Sequence, residues 1–340
     1  MKKFVKFMIW TIVVVAGLFA AATAVFYRGD IALATLAEEY ETDESLYADI
    51  AFLTAAGETR DVRIHAMAWG DPADPAVVLL HGMFSSSHTF LPWAERLTEE
   101  GYYVLAVDLP GFGLSEVYPD KMTSQRRHAA VVRALLDQLS IDEAFVGGNS
   151  MGGGVAWYFA SEYHGIDFNV LGVILIDAVY PGMTGEDEGG GLRSILSSPI
   201  GVFLSNMTPR FLLRSILKGA YGSEAGMNEA VVDRYYLLLR GEGHREAIVS
   251  QTTEADPGGS PSGMERLLRL NDEGIPTLVM WGELDSWIPV ATAELFAQTL
   301  ELPESNVIIY DTLGHVPMEE NPQRTIEDVL IFLDAALGGD

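Results

Sequence analysis

Hydrophobic positions fall into short unbroken runs that alternate with amphipathic stretches along most of the chain. Residues 76–80 (AVVLL) and 103–107 (YVLAV) are apolar throughout, as expected for strands covered on both faces of a parallel sheet. Further strands are expected at 61–69, 144–146, 171–176, 277–281 and 307–310. Helices are expected at 91–100, 124–139, 152–163, 291–300 and 323–336. This repetition predicts an α/β fold with a mostly parallel, doubly wound sheet and helices on both faces. The alternation lapses from 178 to about 271, where glycine-rich and helix-like pieces follow one another without a strand, so an inserted helical cap is expected there. Residues 254–263 (EADPGGSPSG) have the composition of a flexible loop. The chain thus divides into an N-terminal segment (1–27), a tether and first strand region (28–59), a first core part (60–177), the cap or lid (178–271) and a second core part (272–340).

The N-terminal segment has its own pattern. Lys2, Lys3 and Lys6 precede a charge-free run from 7 to 27, long enough at ~1.5 Å per residue to cross a ~30 Å hydrocarbon core. Glu38, Glu39, Glu41, Asp43 and Glu44 follow, and basic flanks resist translocation. A single-pass transmembrane anchor is expected, with the remaining chain on the extracytoplasmic side, periplasmic or extracellular. The alternative is a cleaved signal segment and a secreted product, because Ala22-Thr23-Ala24 has the small-x-small spacing of a cleavage site.

Composition narrows the function classes. Of 340 residues 49% are hydrophobic and 20% charged, enough to bury a large core and to exclude a wholly disordered chain. Lys and Arg number 21 against 48 Asp and Glu, and a net charge of −27 repels polyanions, which excludes nucleic acid as a partner. The absence of cysteine removes disulfides, thiolate nucleophiles and Cys-ligated metals. Against this acidity, residues 189–223 hold no Asp or Glu but carry Arg193, Arg210, Arg214 and Lys218. They belong either to cap helices with an apolar buried face, or to a lid that lines an acyl pocket and rests on anionic lipid.

The sharpest chemical signal is Gly148-Asn149-Ser150-Met151-Gly152, which follows an apolar strand and opens a helix. A nucleophile raised on a strained strand-to-helix turn needs neighbours without bulky side chains, and Gly147, Gly148, Gly152, Gly153 and Gly154 supply them. The helix N-terminus aims backbone N–H groups beside Ser150, where negative charge develops in acyl transfer. Serine needs a base, and the base an orienting acid. Of seven histidines, His315 lies just past the strand 307–310, at the carboxyl end where ligands gather in open parallel sheets. His65, His128, His164 and His244 read as structural or solvated, and His88 as a candidate for the pocket rim. For the acid, Asp285 follows strand 277–281 and Asp177 follows 171–176; Asp285 is favoured and Glu283 assigned to the turn. The order Ser150, Asp285, His315 is that of the α/β-hydrolase arrangement. After strand 76–80, His81-Gly82-Met83-Phe84 can present a second N–H to an oxyanion, paired with that of Met151. There Gly82 lets the backbone close in and His81 braces the loop.

HGM at 81–83, DLPGFGLS at 108–115, GNSMGG at 148–153, WGELDSWIP at 281–289 and GHVPMEENP at 314–322 together resemble the α/β-hydrolase superfamily across residues 60–337. Within it the chain resembles bacterial monoacylglycerol-lipase-like and carboxylesterase members. The same GNSMG pentapeptide also occurs in hydrolases that cleave carbon–carbon bonds of ring-fission products. The resemblance implies that Ser150 is the nucleophile, His315 the general base and then acid, Asp285 the orienting carboxylate, and the N–H groups of Met83 and Met151 the oxyanion hole. The expected function is hydrolysis of a small-molecule carboxylic ester, acyl or lipid-like, through an acyl-enzyme, with no metal or organic cofactor implied. The alternatives are carbon–carbon bond hydrolysis and a catalytically idle binding module.

Overall fold

Strands β1 (Ser45–Leu53), β2 (Thr59–Trp69), β3 (Ala76–Leu80), β4 (Tyr103–Val107), β5 (Glu143–Asn149), β6 (Asn169–Ile176), β7 (Thr277–Gly282) and β8 (Val307–Tyr310) form one sheet. Their order is β1-β2-β4-β3-β5-β6-β7-β8. The structure is a computed structural model and describes residues 2–54, 57–121, 123–183, 205–223, 226–250 and 262–338. β1 pairs antiparallel with β2, and β2 with β4. Every later pairing is parallel, as the alternation of short apolar runs and helices requires.

Helices cover both faces. On one, α4 (Gln125–Gln138) and α5 (Met151–Tyr163) pack through Val131, Leu135, Val155 and Phe159, joined by Leu267 of a later helix and Phe296. On the other, α3 (Leu91–Glu99) buries Trp93 and Leu97 against Val329 and Leu333 of the C-terminal helix. Each fully buried Leu or Val here contributes about 1.5–3 kcal/mol. β3 is the point where the strand order reverses, with β4 on one side and β5 on the other. A crevice therefore opens beyond the carboxyl ends of β3 and β5.

The N-terminal part holds α1 (Lys2–Phe26) and α2 (Leu33–Tyr40). Among the described residues no helix is long and apolar enough to cross a membrane. The expected single-pass anchor, and with it the membrane partner and the extracytoplasmic placement of the domain, is therefore corrected. The end of α1 is also tied to the domain: the Phe26 ring meets Phe211 edge-on at 6.3 Å, and the Arg28 N–H donates to the Asn206 carbonyl at 2.9 Å.

Within 178–271 the described helices are α6 (Arg210–Ala220), α7 (Glu229–Leu239), α8 (His244–Ser250) and α9 (Gly263–Asp272). α6 and α7 turn Leu213, Leu217, Val232 and Tyr235 into the same apolar cluster as α3, over the carboxyl ends of the strands. α9 begins with a capping box built by Ser262 and Glu265 and packs on α5, where Arg266 pairs with Glu162. Of the cap's basic residues, Arg210 pairs with Glu229 and Asp233, and Arg214 with Glu229, so both charges are matched inside the cap. Arg193 and most of the 254–263 loop lie outside the described residues.

Candidate active site

Ser150 sits between β5 and α5 with φ 55° and ψ −116°, a left-handed backbone that costs an L-residue on the order of 1–3 kcal/mol. The fold holds it there: the Ser150 N–H donates to the Ile176 carbonyl at 2.9 Å, and its own carbonyl accepts from Gly154 and Val179, both at 3.0 Å. The turn is possible because a Cβ on Gly152 would lie 2.1 Å from the Leu80 carbonyl oxygen, and one on Gly148 2.3 Å from the Gly152 backbone. Gly82, past the end of β3, approaches so closely that its Cβ would stand 3.1 Å from that of Ser150. At the neighbouring Met83 the N–H has no hydrogen-bond partner among the described residues. Met151 opens α5, so its N–H belongs to the first turn of that helix.

His315 is buried in the loop after β8. Its Nδ1 lies 2.7 Å from Asp285 Oδ2, while its Nε2 has no partner among the described residues. Asp285 Oδ1 accepts the N–H groups of Trp287 at 2.7 Å and Ile288 at 3.0 Å, which fix the carboxylate in the loop after β7. Because Asp285 can only accept, the proton between them rests on Nδ1 and leaves Nε2 with its lone pair. The Trp287 ring packs on the imidazole at a centroid distance of 5.0 Å. Three further bonds position the histidine loop. Asn149 Nδ2 donates to the His315 carbonyl at 2.8 Å, the His315 N–H donates to Ala220 of the cap at 2.6 Å, and Glu320 accepts from Gly314 at 2.7 Å. His315, Asn149, Gly82 and Met83 thus line one narrow pocket, closed from the cap side by Leu217 and Tyr235.

Other sequence candidates lie elsewhere. His81 Nδ1 bonds the Gly82 carbonyl at 2.8 Å and its Nε2 accepts from the Leu109 N–H at 3.1 Å; burial pushes its pKa down, so it is a neutral brace of the loop. His88 does not line the pocket but ties α2 down by bonding the Tyr40 carbonyl at 3.0 Å. Glu283 is exposed on the turn. His65 Nδ1 meets Asp108 at 2.7 Å and its Nε2 meets Ser45 Oγ at 2.9 Å. Burial alone would raise the Asp108 carboxyl, but the bond and charge of His65 outweigh it and hold the group well below the usual range. This chain of Ser45, His65 and Asp108 fastens β1, β2 and the DLPGFGLS turn together.

Two features were not assigned a role from sequence. Asn149 bridges the elbow to the histidine loop, a contact between residues 166 positions apart. Asp177, weighed only as a rival acid, lies with Asp285 and His315 in one buried group, with one donor atom from each within 4.8 Å of the others. That group could in principle hold a cation, but Asp285 already accepts three N–H groups, which fits a proton network.

A family model described as "Alpha/beta hydrolase family" matches residues 77–328. The chain is 26% identical over 310 residues to Lipase 3 of Moraxella sp. (strain TA144), covering 87% of this chain and 88% of that one. It is 29% identical over 299 residues to a 2-hydroxy-6-oxononadienedioate/2-hydroxy-6-oxononatrienedioate hydrolase of Klebsiella pneumoniae, covering 84% and 96%. A solved thermophilic esterase from Thermogutta terrifontis shares the fold with a TM-score of 0.67 at 23% identity, over 86% of this chain and 99% of that one.

Proposed function

Because the chain belongs to the alpha/beta hydrolase family, a family of hydrolytic enzymes, we propose that it is a serine hydrolase of carboxylic esters. Ser150 is the nucleophile, His315 the base and Asp285 the orienting acid. The observation that carries this reading is the imidazole bonded through Nδ1 to Asp285 with Nε2 unoccupied, in a pocket shared with the elbow. In the first step His315 Nε2 takes the hydroxyl proton as Ser150 attacks the ester carbonyl. The resulting oxyanion lies between the Met83 and Met151 N–H groups, and losing one such donor typically costs ~10²–10³ in rate. The imidazolium then protonates the leaving alcohol, and in the second step the same imidazole activates water to release the acid. Helices α6 and α7 act as the cap that shapes the acyl side, through Leu217, Ala220 and Tyr235.

Carbon–carbon hydrolysis is the second reading, favoured by the similarity to the Klebsiella enzyme. The substrate in that enzyme's name is a dioate and carries two carboxylates. Here Leu217, Ala220, Val316, Met83 and Trp287 make the pocket wall apolar, and the nearby Arg234 is already paired with Glu319 at 2.7 Å. Burying an unpaired carboxylate against such a wall is costly, which supports an uncharged acyl ester. Turnover of p-nitrophenyl esters of increasing acyl length, compared with a vinylogous diketone dioate, tests this. Ester turnover that disappears in Ser150→Ala is expected, and turnover of the diketone alone would reverse the choice.

A further inference from the structure

Asp177 directly follows β6 and Asp285 lies in the loop after the neighbouring β7, and both side chains are buried. Every oxygen of Asp285 is matched to an N–H: Oδ1 to Trp287 and Ile288, Oδ2 to His315. Asp177 is matched on one side only. Its Oδ1 accepts the Gly282 N–H at 3.0 Å, while its Oδ2 is buried with no hydrogen-bond partner among the described residues. What faces it is another carboxylate, with Asp285 and His315 both contributing an atom within 4.8 Å. Two carboxylates this close and this dry cannot both be charged, and neither can donate to the other without a proton. The backbone shows that Asp177 is held in place, with φ 44° and its N–H donating to the Met280 carbonyl at 3.0 Å.

We propose that Asp177 is a positioning residue that carries the proton of an acid pair. Its Oδ2–H donates to Asp285, so that a single negative charge faces His315. The inference rests on reading Asp285 and His315 as the catalytic relay. Burial first, and then the Asp285 charge, raise the Asp177 carboxyl well above the ordinary range. The other titratable groups toward it are Glu320, itself raised by burial, and Tyr310, whose hydroxyl donates to Asp328 at 2.8 Å. None of them supplies a positive charge. As a donor, the second carboxyl faces Asp285 without competing for the imidazole proton.

The test uses the full chain with 13C-carboxyl aspartate and the variants Asp177→Asn and Asp177→Leu. The expected infrared signature is a buried protonated aspartate carbonyl band in wild type at pH 7 that is missing in Asp177→Asn; aspartate labelling leaves Glu320 silent. Asn keeps a neutral donor, so the acid limb of its kcat/KM profile is expected within ~0.3 unit of wild type. Asp177→Leu is expected to lower kcat at least ~10-fold with KM little changed. Absence of the band at pH 7 overturns the proposal. So does an acid limb in Asp177→Asn moved down by about 1 unit or more, because an ionised Asp177 would have been holding a proton on His315. If Asp177→Asn does not fold, loss of the band in Asp177→Leu assigns it, and a band that persists there overturns the proposal. Fluorophosphonate labelling of wild-type Ser150 reports separately on the hydrolase reading: a band without labelling keeps the proton on Asp177 and removes the relay it is said to serve.

Discussion

Ser150 is held against its own backbone preference, and Asn149 beside it shows how the strain is shared. One amide of Asn149 reaches both the Ile176 and the His315 carbonyls, so the elbow and the His315 loop are fixed by the same residue. A φ of 55° with ψ of −116° suits glycine far better than serine. Ser150→Gly is therefore expected to raise unfolding free energy by about 1 kcal/mol while abolishing turnover, read from urea melts beside ester assays. A destabilised Ser150→Gly would mean that the turn is not strained. At this scale the nucleophile, base and acid candidates were legible, because glycine spacing and strand ends mark them locally. Asn149 and Asp177 were not, because what they do depends on partners far along the chain.

The cap is joined to the core by a buried carboxylate. Glu319, four residues after His315, accepts from Thr89 at 2.5 Å, Tyr221 at 2.6 Å, Arg234 at 2.7 Å and Tyr235 at 3.0 Å. Three of these donors belong to the cap region, and Tyr235 lines the pocket. Glu319→Gln leaves the Arg234 guanidinium without its countercharge, and the expected loss is about 3 kcal/mol. Hydrogen exchange should accelerate in α6 and α7 while α4 and α5 keep their protection; unchanged exchange in the cap would show that the hub does not hold it. The core helices and parallel strands were readable at this scale, since burial on both faces leaves unbroken apolar runs. β1 falls in the stretch read as a tether and first strand region, but without bounds of its own, because a half-exposed edge strand with Asp49 in its middle is made by its ladder to β2. The cap showed only as a lapse in alternation, because its helices are specified by the surface they cover.

Across the molecule, burial keeps several histidines neutral. It pushes His81, His88 and His244 below the ordinary value and His128 down to about 3. Released by unfolding, they titrate near ~6.5, so below that pH the unfolded chain binds the extra protons and stability falls as the pH drops. Asp177 and Glu320 are shifted up and oppose this from about pH 4 upward, but they are fewer. Stability is expected to fall from pH 6.5 to 5 by on the order of 1–3 kcal/mol per unit, with the slope reduced in His128→Gln. A flat profile would contradict the buried neutral state. At this scale the sequence conveyed the α/β class, while the span expected of α1 is overturned, since among the described residues no helix is long and apolar enough to cross a membrane. The proposed relay from Asp285 through His315 to Ser150 is tested most directly by peptide mass spectrometry after fluorophosphonate treatment. A single adduct on Ser150, formed at least ~10³-fold more slowly in His315→Ala, is predicted. An adduct elsewhere, or labelling of His315→Ala at the wild-type rate, would contradict it.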